Sequence, residues 1–179
     1  SSVALVTPMT ADGTVDFACL ERLVDFHIEA GTDFLVIAGT TGESATLTPE
    51  EHIRVVRHVV EVASGRVPVV AGTGSNSTRE AIELTAAARS AGADGALLIS
   101  PYYNKPTQEG IYQHYRMVAL EGGLPIVLYN IPGRTASRIE SATTARLSRV
   151  PGVAGLKECG GDFAATAETI QSVAPGFAV

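Results

Sequence analysis

Short apolar runs recur along the chain at nearly even intervals: Val3–Val6, Phe34–Ile37, Val67–Val70, Ala96–Ile99, Pro125–Leu128 and Val153–Leu156. A seventh begins at Phe177 and reaches Val179. None alternates apolar with polar positions. Continuous apolarity over four residues is what a strand buried on both faces requires, as in a parallel sheet covered by helices.

The stretches between these runs carry helical patterns with marked ends. Asp16 is placed to cap a helix through Ala30, with Phe17, Leu20, Val24 and Ile28 on one side and Gly31 as the stop. Thr48-Pro49-Glu50-Glu51 has the form of a capping box with proline at the first helical position, opening a helix to about Ala63. Ser77-Thr78-Arg79-Glu80 has the same form and opens an alanine-rich helix that ends at Gly92. Further helices are predicted over Thr107–Leu120, Ser141–Leu147 and Asp162–Val173.

With strands starting at 3, 34, 67, 95, 125, 153 and 177, the spacings are 31, 33, 28, 30, 28 and 24 residues. This is a strand–helix repeat, hence an α/β fold with right-handed crossovers. An open doubly wound sheet and a (β/α)8 TIM barrel both fit. The barrel is favoured because the period is even and functional-looking residues follow nearly every strand. A doubly wound sheet would gather them at one switch point. Eight units need roughly 240 residues. Residues 1–179 are therefore expected to form an incomplete TIM-barrel catalytic domain of about six units plus the start of strand 7, truncated at its C-terminal side.

Composition narrows the classes. Apolar residues make up 45 % and charged residues 18 %, with a formal net charge of −6. That is a chain able to form a core, without the basic cluster a nucleic-acid partner requires. Cys19 and Cys159 lie far apart, with no spacing suited to zinc or a disulfide framework. The histidines His27, His52, His58 and His114 fall on predicted helices without metal-ligand spacing. No zinc site is expected, no apolar run approaches a membrane span, and a cytoplasmic location is expected.

The candidate chemistry lies at the strand ends. There are two lysines, Lys105 in a polar loop and Lys157 closing the sixth apolar run. A lysine enclosed in an apolar pocket is disfavoured as the ammonium, and the free amine is what Schiff-base chemistry needs. Tyr129 ends the fifth run. On an adjacent strand about 4.8 Å away it could share a pocket with Lys157 and relay protons. Arg134, on the loop after Tyr129, suits a carboxylate. After the second run, Gly39-Thr40-Thr41-Gly42 offers backbone amides and hydroxyls to an anionic group.

Four stretches in order, Gly39-Thr40-Thr41-Gly42-Glu43-Ser44, Pro101-Tyr102-Tyr103-Asn104, Tyr129-Asn130-Ile131-Pro132-Gly133-Arg134-Thr135 and Gly155-Leu156-Lys157-Glu158, together resemble the dihydrodipicolinate synthase/N-acetylneuraminate lyase family of pyruvate-dependent class I aldolases. The resemblance runs from Val3 to the last residue. It implies that Lys157 forms a Schiff base with pyruvate and that the resulting enamine attacks aspartate 4-semialdehyde. Tyr129 would be the general acid/base. Thr40 and Tyr103 would complete a proton relay, Tyr103 reaching in from a neighbouring subunit of a dimer or tetramer. Thr41, Gly42 and nearby amides would hold the pyruvate carboxylate, and Arg134 the semialdehyde carboxylate. Arg134 favours that substrate over the sugar partners of the neuraminate and sugar-acid aldolases. Positions matching a lysine-effector site are Ser44, Ala45, His52, Asn76, Glu80 and Tyr102. The family's last two barrel units and C-terminal helical region are missing from these residues.

Two other readings compete. A phosphate-binding barrel using the Gly-Thr-Gly turns leaves Lys157, Tyr129 and Arg134 unexplained. An inactive barrel fragment would serve assembly rather than catalysis.

Overall fold

A computed structural model describes all residues from Ser1 to Val179. The elements run β1 (Ser2–Ala4), α1 (Phe17–Glu29), β2 (Phe34–Ile37), α2 (Pro49–Ala63), β3 (Val69–Gly72), α3 (Thr78–Ser90), β4 (Gly95–Ile99), α4 (Gln108–Glu121), β5 (Ile126–Asn130), α5 (Pro132–Thr135), α6 (Ser141–Leu147), β6 (Val153–Glu158) and α7 (Phe163–Ser172). A 3-10 turn, Ser44–Thr46, follows β2. The strand order is β1-β2-β3-β4-β5-β6, the order of the sequence. The chain divides into two compact units, residues 1–73 with 87–96, and residues 74–86 with 97–179.

In the first unit β1, β2 and β3 pair in parallel, with Val3 opposite Leu35 and Val36 opposite Val70. Leu20 and Val24 of α1 are buried, as are Val55, Val56, Val59 and Ala63 of α2. Each such leucine or valine side chain contributes roughly 1.5–3 kcal/mol by leaving water. The caps form as the sequence predicts. Asp16 accepts from Cys19 N–H at 2.9 Å. Thr48 and Glu51 make both bonds of the capping box. The third strand starts two residues later than its apolar run, at Val69. Pro68 has no N–H to give a ladder, although its carbonyl still accepts from Leu35 N–H at 3.0 Å.

In the second unit β5 and β6 are parallel, with Leu128 opposite Leu156, Tyr129 opposite Lys157 and Asn130 opposite Glu158. Leu128 and Leu156 are buried. Thr107 caps α4 and Asp162 caps α7. The box predicted at Ser77 is half made. Ser77 Oγ accepts from Glu80 N–H at 3.4 Å, but the Glu80 carboxylate takes the Ser75 hydroxyl, and Ser77 N–H goes to Ser75 Oγ at 3.0 Å. Ser75 has inserted itself between the two partners. The expected seventh strand is present as a single parallel bridge, Gly155 to Ala178, on the edge of β6.

Candidate active site

Side chains alternate across a strand, so register decides which residues share a face. Because Tyr129 and Lys157 are register partners, both stand on one face of the β5–β6 pair, and Asn130 and Glu158 on the other. Lys157 Nζ lies 4.5 Å from the centroid of the Tyr129 ring, a cation–π distance. Tyr129 is buried, whereas Lys157 is exposed and not enclosed as its apolar run suggests.

The Tyr129 phenol is held above its ordinary range, first by burial and then by the Cys159 thiol, while the Arg134 guanidinium pulls it down. Cys159 N–H donates to Asn130 O at 2.8 Å, which continues the ladder two residues past Lys157. Cys159 is the neighbour that sequence reading missed. A step of two from Lys157 along a strand would have found it.

Arg134 sits on α5, a single turn opened by Pro132, with its side chain exposed. The turn is anchored by Thr135, whose Oγ1 donates to Ser137 O at 2.8 Å and accepts from Ser100 Oγ at 3.3 Å. Tyr103 N–H donates to Thr135 O at 3.4 Å, tying Tyr103 to the same turn. Tyr103 has a φ of 70° and is 87 % exposed. A tyrosine in the left-handed region is strained, and its ring projects away from the rest of the unit.

In the first unit the Gly-Thr-Thr-Gly turn is tightly built. Ala38 and Glu43 take left-handed φ values of 49° and 54°. Gly42 is buried, and a Cβ there would meet Leu5 O at 3.1 Å and Ala38 N at 3.2 Å. Its carbonyl accepts from Thr7 Oγ1 at 2.7 Å. Thr40 and Thr41 are exposed at the crest.

The residues matched to an effector site fall in both units. Ser44 and Ala45 lie on the 3-10 turn, and His52 is buried on α2. Burial pushes the His52 imidazole below its ordinary value, opposed by its bond to the Gly72 backbone. In the second unit Asn76 O accepts from Asn104 Nδ2 at 3.1 Å, Glu80 holds Ser75, and Tyr102 is partly exposed. No group of three His, Cys, Asp or Glu side chains gathers as a metal cluster. No helix is long and apolar enough to cross a membrane.

Comparison with known proteins adds to this geometry. The family model of the dihydrodipicolinate synthetase family matches residues 1–179. The 4-hydroxy-tetrahydrodipicolinate synthase of Pseudomonas aeruginosa is 55 % identical over 179 residues, covering 100 % of this chain and 61 % of that protein. The crystal structure of the chloride-inhibited dihydrodipicolinate synthase of Acinetobacter baumannii in complex with pyruvate is 52 % identical, with a TM-score of 0.97, and is matched over 100 % of this chain and 62 % of that one. The enzyme of Cyanidioschyzon merolae with lysine bound is 42 % identical with a TM-score of 0.95, over 98 % of this chain and 60 % of that one. The chain thus spans about three-fifths of the length of the relatives it matches. With a family model matched end to end, and a lysine and a tyrosine in register at adjoining strand ends, the chain belongs to the dihydrodipicolinate synthetase family.

Proposed function

We propose that the protein condenses pyruvate with aspartate 4-semialdehyde to give 4-hydroxy-tetrahydrodipicolinate, a step toward diaminopimelate and lysine. The observation that carries this reading is the register pairing of Lys157 with Tyr129, Nζ over the ring at 4.5 Å. The neutral Lys157 amine attacks the pyruvate ketone to form a carbinolamine. Tyr129 passes a proton to the departing hydroxyl, water leaves and the imine forms. The Tyr129 phenolate takes a methyl proton to give the enamine, whose carbon adds to the aldehyde; the amino group of the semialdehyde portion then displaces Lys157 from the imine, which closes the ring and frees the lysine. The chemistry needs no metal and no organic cofactor.

Thr40 and Tyr103 extend the proton relay, with Tyr103 serving a neighbouring subunit. Its exposure and left-handed backbone support that role, since a strained residue projecting into solvent needs a partner to justify its conformation. Thr41 and Gly42 hold the pyruvate carboxylate, and Arg134 takes that of the semialdehyde. The six strand–helix units belong to an eight-unit barrel that works as a homodimer or homotetramer in the cytoplasm. Ser44, Ala45, His52, Asn76, Glu80 and Tyr102 receive lysine as a feedback inhibitor, a reading supported by the lysine-bound relative. Loss of rate at millimolar lysine is the expected result, and an unaffected rate removes the effector site.

Borohydride reduction with pyruvate tests the mechanism. The expected result is a reduced adduct on Lys157 by peptide mass spectrometry. An adduct on Lys105, or none, overturns it.

A further inference from the structure

Behind the catalytic face, one residue further along each strand, lies a second pair. Asn130 is 2 % exposed. Its Oδ1 accepts from Ile139 N–H at 3.0 Å, and its Nδ2 donates to Glu158 Oε2 at 2.8 Å and to Ile139 O at 3.4 Å. The other carboxylate oxygen of Glu158 accepts from Gly160 N–H. Two side chains therefore join the end of β5, the end of β6, the segment leaving α5 and the turn after β6. Tyr129, Lys157 and Arg134 stand on the elements so joined.

A hydrogen bond between side chains directly opposite each other, on the face behind, fixes the register of the two strand ends that carry Tyr129 and Lys157. The polarity of each atom matters. Glu158 meets two N–H donors, which suits an ionised carboxylate because it only accepts. The Asn130 amide presents its donor to Glu158 and its acceptor to Ile139 N–H, so it cannot be turned over without setting like against like.

We propose that Asn130 and Glu158 are positioning residues: they act through the backbone to hold Lys157 and Tyr129 in the reactive register, without touching substrate. This rests on the aldolase reading above. Errors of about 1 Å in placement cost roughly a hundredfold in rate, so a loosened tie should slow imine formation more than it weakens pyruvate binding.

An exchange of polarity tests the proposal in the full-length protein. Asn130→Asp sets one carboxylate against another. Glu158→Gln turns an amide N–H toward a donor. Together the two changes restore complementarity between the two side chains and lose only the 3.4 Å bond to Ile139 O. The amide introduced at position 158 can donate to the carboxylate introduced at position 130, while its oxygen accepts from Gly160 N–H. The readouts are the rate of borohydride trapping of pyruvate at saturation, the pyruvate KM, and hydrogen exchange at the Ile139 and Gly160 amides. Each single variant should trap roughly ten- to a hundredfold more slowly with little change in KM, and the double variant should recover to within about threefold. Singles that trap at the wild-type rate, or a double variant no faster than the slower single, overturn the proposal. If wild-type protein traps nothing, the aldolase reading fails instead, and amide protection still reports whether the tie exists.

Discussion

Lys157 Nζ stands 4.5 Å above the Tyr129 ring because the two residues are register partners on neighbouring parallel strands. The amine meets the π face, and the phenol hydroxyl is a separate group at the rim of the ring. Packing and proton transfer are therefore separable in this pair. Tyr129→Phe keeps the ring beneath Lys157 Nζ and removes only the hydroxyl. The expected outcome is a fall of about a hundredfold or more in pyruvate trapping, with the thermal midpoint nearly unchanged. A variant that traps at the wild-type rate would remove Tyr129 from the mechanism.

Cys159 offers a finer handle on the same phenol. Burial is the first cause that raises Tyr129, and the thiol adds to it. Cys159→Ala removes the thiol contribution and leaves the burial, so Tyr129 should ionise at lower pH. The alkaline limb of the trapping profile should then shift downward, and Cys159→Ser should shift it less. Coincident profiles for wild type and both variants would show that the thiol does not act on Tyr129.

A separate pH dependence arises at His114, buried on α4. Its Nδ1 lies 2.9 Å from Thr78 Oγ1, and its Nε2 is buried without a partner. Burial lowers the imidazole from 6.5 to about 4. A value depressed on folding gives stability that is fully present above 6.5, declines as pH falls and is gone below about 4. The size is on the order of 3 kcal/mol. Urea midpoints between pH 7 and 4 should therefore fall more steeply for wild type than for His114→Leu. Parallel slopes would locate the acid sensitivity elsewhere.

Gly72 is fixed by a neighbouring backbone. A Cβ there would lie 2.4 Å from Ala38 O and 2.8 Å from Gly39 Cα, neither of which can rotate aside. Gly72→Ala should cost about 1–3 kcal/mol or more, read as a lower denaturant midpoint. Gly31→Ala makes the control, since a Cβ there meets nothing within 4 Å and the penalty comes only from its φ of +84°. Equal losses in the two variants would contradict a steric role for Ala38.

The same residues show what a sequence can disclose. Asp16 and Thr48 are legible as caps because a side chain and an amide three positions on decide the matter locally, and the same geometry makes Thr107 and Asp162, read as the first helical residues, the caps of α4 and α7. The positions of β2, β4 and β5 are legible because burial on both faces leaves no polar interruption. The box at Ser77 is legible only in part because a competitor, Ser75, lies outside the four-residue pattern. The turn Pro132–Thr135 reads as a loop, since Pro132-Gly133 carries no helical periodicity. The bond from Asn130 to Glu158 spans 28 positions and depends on register, which composition cannot fix. The exposure of Lys157 depends on what stands beside β6, which its own hexapeptide does not specify.

The even repeat has a kinetic corollary. Register partners lie 32 positions apart for Ser2 and Phe34, 34 for Leu35 and Val69, and 28 for Tyr129 and Lys157. The entropy of closing such loops varies by only about 0.2 kcal/mol across that range. Chain distance therefore ranks no pairing ahead of another. Which strands lock first is left to side-chain chemistry, and β5 with β6 enters that competition already equipped with a complementary amide and carboxylate.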